Sequence, residues 1–142
     1  MPFRFEKLEV WNEARVITRA VYRLTRKFPE GELFAMTSQL RRVAVSVSSN
    51  IAEGAGRNSD KDFAHFLEQA YASLMEAASI FYLALDEAYV SQSELEPVPT
   101  GLEKLARRIT ALNRSLQVKT SKTPFDRRNG TTLVTRPSSL DP

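Results

Sequence analysis

Two sets of side chains in this chain could do chemistry by their type and spacing. Arg15, Arg19, Arg23 and Lys27 recur every four residues. A four-residue step returns to nearly the same side of an α-helix, so these cations form one stripe on the order of 18 Å long. Such a row suits the phosphate backbone of a nucleic acid, which is neutralised by Lys and Arg without any reading of base sequence. Arg107, Arg108 and Arg114 add bases to the last helical pattern. The second set is polar and lies where a core is expected: Arg41, Arg42, Ser46, Asn50 and Glu53, followed later by Ser73 and Glu76. Polar groups persist among apolar ones when partners satisfy them. Arg42, Ser46 and Asn50 share one helical line, as do Ser49 and Glu53. Glu76 interrupts an apolar stretch and would be costly there without a cation. It is therefore expected to pair with Arg41 or Arg42 across a helix interface and set the register. The functional alternative leaves both arginines free to grip phosphate.

Catalytic chemistry has little to work with. The chain has no cysteine and one histidine, His65, so thiol chemistry, cysteine zinc sites and histidine clusters are out of reach. His65 reads as a helix-flank residue beside Phe63 and Phe66. Ser46, Ser48 and Ser49 have no histidine in sequence reach. No Glu-x-x-His motif offers a di-metal bundle site. The loop Gly54-Ala55-Gly56-Arg57-Asn58 lacks the spacing and the lysine–hydroxyl pair of a phosphate-binding Walker loop and reads as a turn. No enzymatic activity, metal or cofactor is expected.

Four amphipathic helices must position these groups. The first spans about 6–28, with Val10, Trp11, Ala14, Ile17, Val21, Leu24 and Phe28 on one face, and Pro29 and Gly31 stop it. The second follows Thr37 as N-cap and runs to Glu53, with Gly54 as the stop. Its valines lower helix propensity, so packing has to hold it. The third covers about 60–89 behind a Ser59 cap. Within residues 70–85 of that helix, only Ser73, Glu76 and Ser79 are not apolar. A helix apolar nearly all round needs cover on more than one side, and Tyr71, Met75, Ile80 and Tyr82 exceed what a four-helix monomer hides. Self-association is the expected cover. Residues 91–101, with Pro97, Pro99 and Gly101, form a break, and the fourth helix runs over about 102–118. The fold expected is all-α, an antiparallel up-and-down four-helix bundle over 1–118.

Charge is segregated along the chain. Residues 1–61 hold 11 bases and 7 acids, residues 62–103 hold 8 acids and no Lys or Arg, and residues 104–142 hold 9 bases and 2 acids. Either the acidic helix pairs with basic neighbours at its rims, or the basic faces line up to meet a polyanion. Residues 119–142 lack periodicity and carry five bases against two acids, which reads as a basic, disordered tail. No signal peptide or membrane-spanning run stands out, and a cytoplasmic location is expected.

Several blocks resemble the four-helix-bundle proteins encoded in intervening sequences of bacterial 23S ribosomal RNA genes. They are Phe5-Glu6-Lys7-Leu8-Glu9-Val10-Trp11, Tyr22-Arg23-Leu24-Thr25 with Phe28-Pro29, Thr37-Ser38-Gln39-Leu40-Arg41-Arg42, Ser49-Asn50-Ile51-Ala52-Glu53-Gly54 with Gly56-Arg57, and Asp62-Phe63 with Ser73-Leu74 and Glu76. The likeness covers roughly residues 5–90. Ser48 departs from it, standing where the family usually has proline. The resemblance implies an antiparallel bundle, a ring-like homopentamer and no established enzymatic activity. A similar bundle serves as the accessory protein of diversity-generating retroelements, where a basic ring is thought to engage nucleic acid and a reverse transcriptase.

Two functions remain open on this reading. One is a non-enzymatic oligomer that binds structured RNA or DNA through basic helix faces, with affinity led by phosphates and multiplied by repetition around an assembly. Only Tyr22 offers an aromatic platform among the bases, which speaks against reading of single strands. The other is a protein-interaction scaffold, in which the acidic segment and the apolar surface of the third helix recruit a partner such as a reverse transcriptase and the arginines are merely solvated.

Overall fold

The structure, a computed structural model, describes residues 3–121. Helix α1 spans Glu9–Thr25, α2 Met36–Ala55, α3 Asp60–Asp86, the single turn α4 Gln92–Leu95, and α5 Pro97–Ser121. A short 3₁₀ turn, Arg4–Lys7, precedes α1, and another, Glu30–Glu32, lies between α1 and α2. Among the described residues there is no strand, and no helix is long and apolar enough to cross a membrane.

The four long helices form an antiparallel bundle. Each packs on its sequence neighbour, α5 closes on α1, and α1 with α3 and α2 with α5 are the diagonal pairs, with no Cα atoms within 8 Å of each other. Polar pairs mark the register. Thr18 Oγ1 donates to Ala44 O at 3.3 Å, and Arg41 Nε donates to Thr25 Oγ1 at 2.9 Å, so α1 and α2 run in opposite directions. Gln39 meets Glu76 and Ser46 meets Ser73, which does the same for α2 and α3. Lys27 reaches Glu94 just before α5, while Arg108 in mid-α5 reaches Glu9 and Glu13 at the start of α1. The core between them is aliphatic and aromatic, centred on Val21, Leu40, Ile51, Leu67, Leu74 and Phe81, all sealed from solvent.

Helix boundaries differ from the sequence expectation in instructive ways. Thr37 is not a cap: α2 begins at Met36, and Thr37 is buried within its first turn. Gly54 is not a stop either, because α2 continues to Ala55. A Cβ there would lie 2.8 Å from Phe63 Cδ2 and from Phe66 Cβ, so the glycine lets α2 and α3 approach. The expected break over 91–101 is helical. Ser91 caps α4 through a reciprocal box with Glu94. Pro97 and Pro99 sit in the first turn of α5, where a missing N–H leaves no intrahelical bond unmade. Ser59 caps α3 as expected, accepting from Asp62 N at 3.1 Å. Helix α3 ends early, at Asp86, because Ala88 takes a left-handed φ of 58°. Tyr89 N then donates to Ala84 O and Ala88 N to Leu85 O, the paired closure of a helix C-terminus. The departure at Ser48 leaves α2 unbroken, with the hydroxyl donating to Val45 O at 3.0 Å. Of the basic tail expected over 119–142, residues 119–121 continue the backbone of α5, and 122–142 lie outside the described residues.

Candidate nucleic-acid interface

The apolar stripe of α1 turns inward, so the four-residue series Arg15, Arg19, Arg23 and Lys27 faces outward, and all four residues are exposed. Their environments differ. Arg15 lies over the Trp11 ring at 5.4 Å. Lys27 makes a 2.6 Å ion pair with Glu94, which holds the Glu94 carboxyl down to about 2, chiefly through that bond and then through the Ser91 backbone and side chain. Arg19 and Arg23 have no carboxylate within 4 Å among the described residues, and neither does Arg26, which the four-residue spacing passed over. Arg19, Arg23 and Arg26 line one groove with Val16 and Tyr22.

The arginines of α5 divide differently. Arg108 is ion-paired to Glu13 and, at 3.3 Å, to Glu9, where it ties α5 to α1. Glu13 Oε2 is buried with no hydrogen-bond partner among the described residues, and Arg108 is the cation that balances this carboxylate. Arg107 pairs with Glu103 one turn earlier at 3.5 Å. Arg114 borders an apolar groove between α3 and α5, on the other side of the bundle from the α1 stripe. The structure therefore does not gather the seven basic positions into one surface.

The polar residues of α2 split between its two flanks. Toward α3, Ser46 Oγ lies 2.9 Å from Ser73 Oγ, and Asn50 Nδ2 donates to Ser46 O and Oγ at 2.9 and 3.0 Å. The expected pairing of Glu76 with Arg41 or Arg42 is not formed. Glu76 is exposed and accepts from Gln39 Nε2 at 2.7 Å instead. Water reaches that rim, so the carboxylate needs no cation. Gln39 and Arg41 are two positions apart, about 200° around the helix, which sends Arg41 toward α1. There its Nε donates to Thr25 Oγ1, and its guanidinium lies over Tyr22 at 4.8 Å from the ring centre. Arg42 is exposed with no carboxylate within 4 Å among the described residues. Glu53 pairs with Arg57 at 2.9 Å, and Arg57 also covers the Phe66 ring, so the Gly-rich loop's one cation is already engaged.

Phe34 escaped the sequence reading. It is 94% exposed, in the connection between α1 and α2, and it borders the same cleft as Tyr22, Arg41 and Arg42. A large aromatic outside every helical stripe was the available signal. On the opposite side, Tyr71, Met75 and Tyr82 are exposed along the α3–α5 groove, as the apolar excess of α3 implied, whereas Ile80 is covered within the bundle. Among the described residues no three His, Cys, Asp or Glu side chains converge to hold a metal. His65 is exposed against Phe66.

The sequence model of a family described as "23S rRNA-intervening sequence protein" matches residues 6–111. No curated protein matches the chain significantly. Among solved structures, a protein of unknown function from the S23 ribosomal protein family of Bacteroides thetaiotaomicron is similar at 22% identity and a TM-score of 0.56, over 80% of this chain and 99% of that one. At that identity the likeness speaks for the fold.

Proposed function

The chain belongs to the 23S rRNA-intervening sequence protein family, and from that premise we propose that it is a non-enzymatic, cytoplasmic, self-associating bundle that binds structured RNA or DNA through the outward face of α1 and α2. The observation that carries this reading is the run of exposed guanidinium groups without carboxylates within 4 Å among the described residues: Arg19 and Arg23 on α1, Arg26 just past its end, and Arg42 on α2. Charges kept for stability are normally paired, as Arg108 is; unpaired ones on a single face repel each other and favour a polyanion. Lys27, Arg107 and Arg108 contribute less, since each already faces a carboxylate. Arg15 flanks the face, and Arg114 belongs to the opposite side.

Affinity should fall steeply with salt. The test is a titration of full-length protein against an RNA hairpin and a DNA duplex over a salt series, beside Arg19→Glu with Arg23→Glu. Each phosphate contact contributes about 0.9 to the log–log salt slope for a duplex, so the variant should lose roughly two from the slope and most of its affinity. Unchanged binding by the variant would move the interface elsewhere; no binding by the native protein at low salt would end the reading.

A second reading has its own observation. The α3–α5 groove exposes Tyr71, Met75 and Tyr82 beside Arg107 and Arg114, and apolar surface of this kind marks protein contacts. We assign it to self-association, with the family resemblance favouring a pentamer, and in second place to a protein partner such as a reverse transcriptase. Sedimentation of Met75→Glu with Tyr82→Glu should give a smaller species than the native chain; an unchanged native oligomer, or a native monomer, would remove the assignment.

A further inference from the structure

The α1–α2 face carries more than charge. Arg41 is held on three sides: its Nε donates to Thr25 Oγ1, its plane lies over Tyr22, and its backbone is fixed within α2. Thr25 is itself buried and anchored, donating to Val21 O at 2.7 Å. Neither terminal nitrogen of Arg41 has a protein acceptor among the described residues. A planar guanidinium restrained in this way presents its remaining N–H edge without the rotamer entropy that a free arginine loses on binding. Arg42 and Ser38 border the same open cleft. At its rim stands Phe34, 94% exposed and without a ring partner among the described residues. The nearby carboxylate, Glu32, is already committed: Oε1 accepts from Tyr89 Oη at 3.0 Å and Oε2 from Met36 N at 3.1 Å.

We infer that this cleft is a nucleotide subsite: Arg41 and Arg42 take one phosphate, and the base of an unpaired nucleotide stacks on Phe34. The inference rests on the phosphate-binding reading of the α1–α2 face and deepens it. A bare duplex supplies phosphates but no free base; a hairpin with a single-stranded extension supplies both. Base–aromatic stacking tolerates any base, since each has a π-face, so the subsite reads strandedness and not sequence. It also joins the basic groove, because Tyr22 lines both. A duplex lying along Arg19, Arg23 and Arg26 would bring its frayed or extended end to Phe34.

The test compares two RNA duplexes of equal phosphate number, one blunt and one with a single-stranded extension, bound by the full-length protein. The native chain should prefer the extended duplex by about tenfold, within the range of one base–aromatic stack. Phe34→Ala should abolish that preference and leave affinity for the blunt duplex, which offers no unpaired base to Phe34, unchanged, and its exposure makes an effect on folding small. Arg41→Lys keeps the charge but loses the planar fork, and should also remove most of the preference. Equal native affinity for the two duplexes would overturn the subsite and leave the basic face standing. Binding to neither would overturn both. A smaller sedimenting species for Phe34→Ala, with the preference for the extended duplex intact, would assign the cleft to a contact between copies.

Discussion

Gly54 allows a sharp test of how α2 and α3 fit. Replacing a helical glycine by alanine ordinarily stabilises by about 1 kcal/mol, because alanine loses less backbone freedom on folding. At Gly54 the new methyl would sit 2.8 Å from Phe66 Cβ, 2.8 Å from Phe63 Cδ2 and 3.3 Å from Phe63 O. The Phe63 ring can turn, but Phe66 Cβ and the Phe63 carbonyl belong to the framework of α3. Restoring a carbon–carbon separation near 3.5 Å requires the helices to part by about 0.7 Å at this end. Overpacking of that kind costs about 1–3 kcal/mol, and two immovable contacts place it at the upper end. Gly54→Ala should therefore lose about 2 kcal/mol net, or on the order of 8 °C in Tm for a domain of this size. Gly101→Ala is the matched control: Gly101 lies inside α5, and a Cβ there meets nothing within 4 Å. The control should gain up to about 1 kcal/mol. Thermal and urea melts followed by circular dichroism measure both. If Gly54→Ala proved as stable as the native chain while Gly101→Ala gained, the close approach of α2 and α3 would be wrong.

Two further outcomes follow from the helix ends. Ala88→Gly should raise stability by about 1 kcal/mol in the same melts, because a left-handed φ of 58° is strained for alanine and free for glycine. The Lys27–Glu94 pair should appear as a pH dependence. The folded carboxyl is lowered to about 2 from 4.5, so its contribution is fully present above the unfolded value and is lost as pH falls from about 4.5 through 2. Comparing the Tm of native and Glu94→Gln protein across that window should show the native chain losing its advantage there, whereas parallel curves would refute the linkage.

The architecture was readable in the sequence because the apolar periodicity of each long helix is strong and local. Residue partners were less readable, because they depend on which way a side chain leaves its helix. Ser73 reads as a residue needing a partner, but only the rotation of α2 decides that Ser46, itself held by Asn50, supplies it, while Gln39 takes Glu76. Arg41 is the clearest case. Its chemistry was visible, yet its direction toward Thr25 and Tyr22 is set by packing against α1. Pro97 and Pro99 misled as breaks because proline is equally at home in a helix's first turn. Phe34 was missed because it belongs to no period, although that isolation is what marks it.

The segregation of charge along the chain sets the arginine face of α1 and α2 apart from the acidic α3, while α5 carries bases of its own. Helices α1 and α2, with Arg19, Arg23, Arg26, Arg41 and Arg42, occupy one side; α3, between Asp62 and Asp86, contributes acids and no Lys or Arg. Since α1 and α3 are diagonal in the bundle, the basic face and the exposed apolar groove beside α3 point away from each other. Self-association through the groove would therefore leave the arginine face uncovered. Copies arranged around an axis would repeat that face, so that a weak phosphate contact per copy becomes a strong one per assembly, provided the nucleic acid can span several copies. This ties the two proposed surfaces together quantitatively. Met75→Glu with Tyr82→Glu, which leaves the arginines of the α1–α2 face untouched, should weaken binding to a long RNA far more than to a short hairpin that only one copy can hold. Equal loss on both would mean that the groove acts on nucleic acid directly, and no loss on either would mean that single copies do the binding.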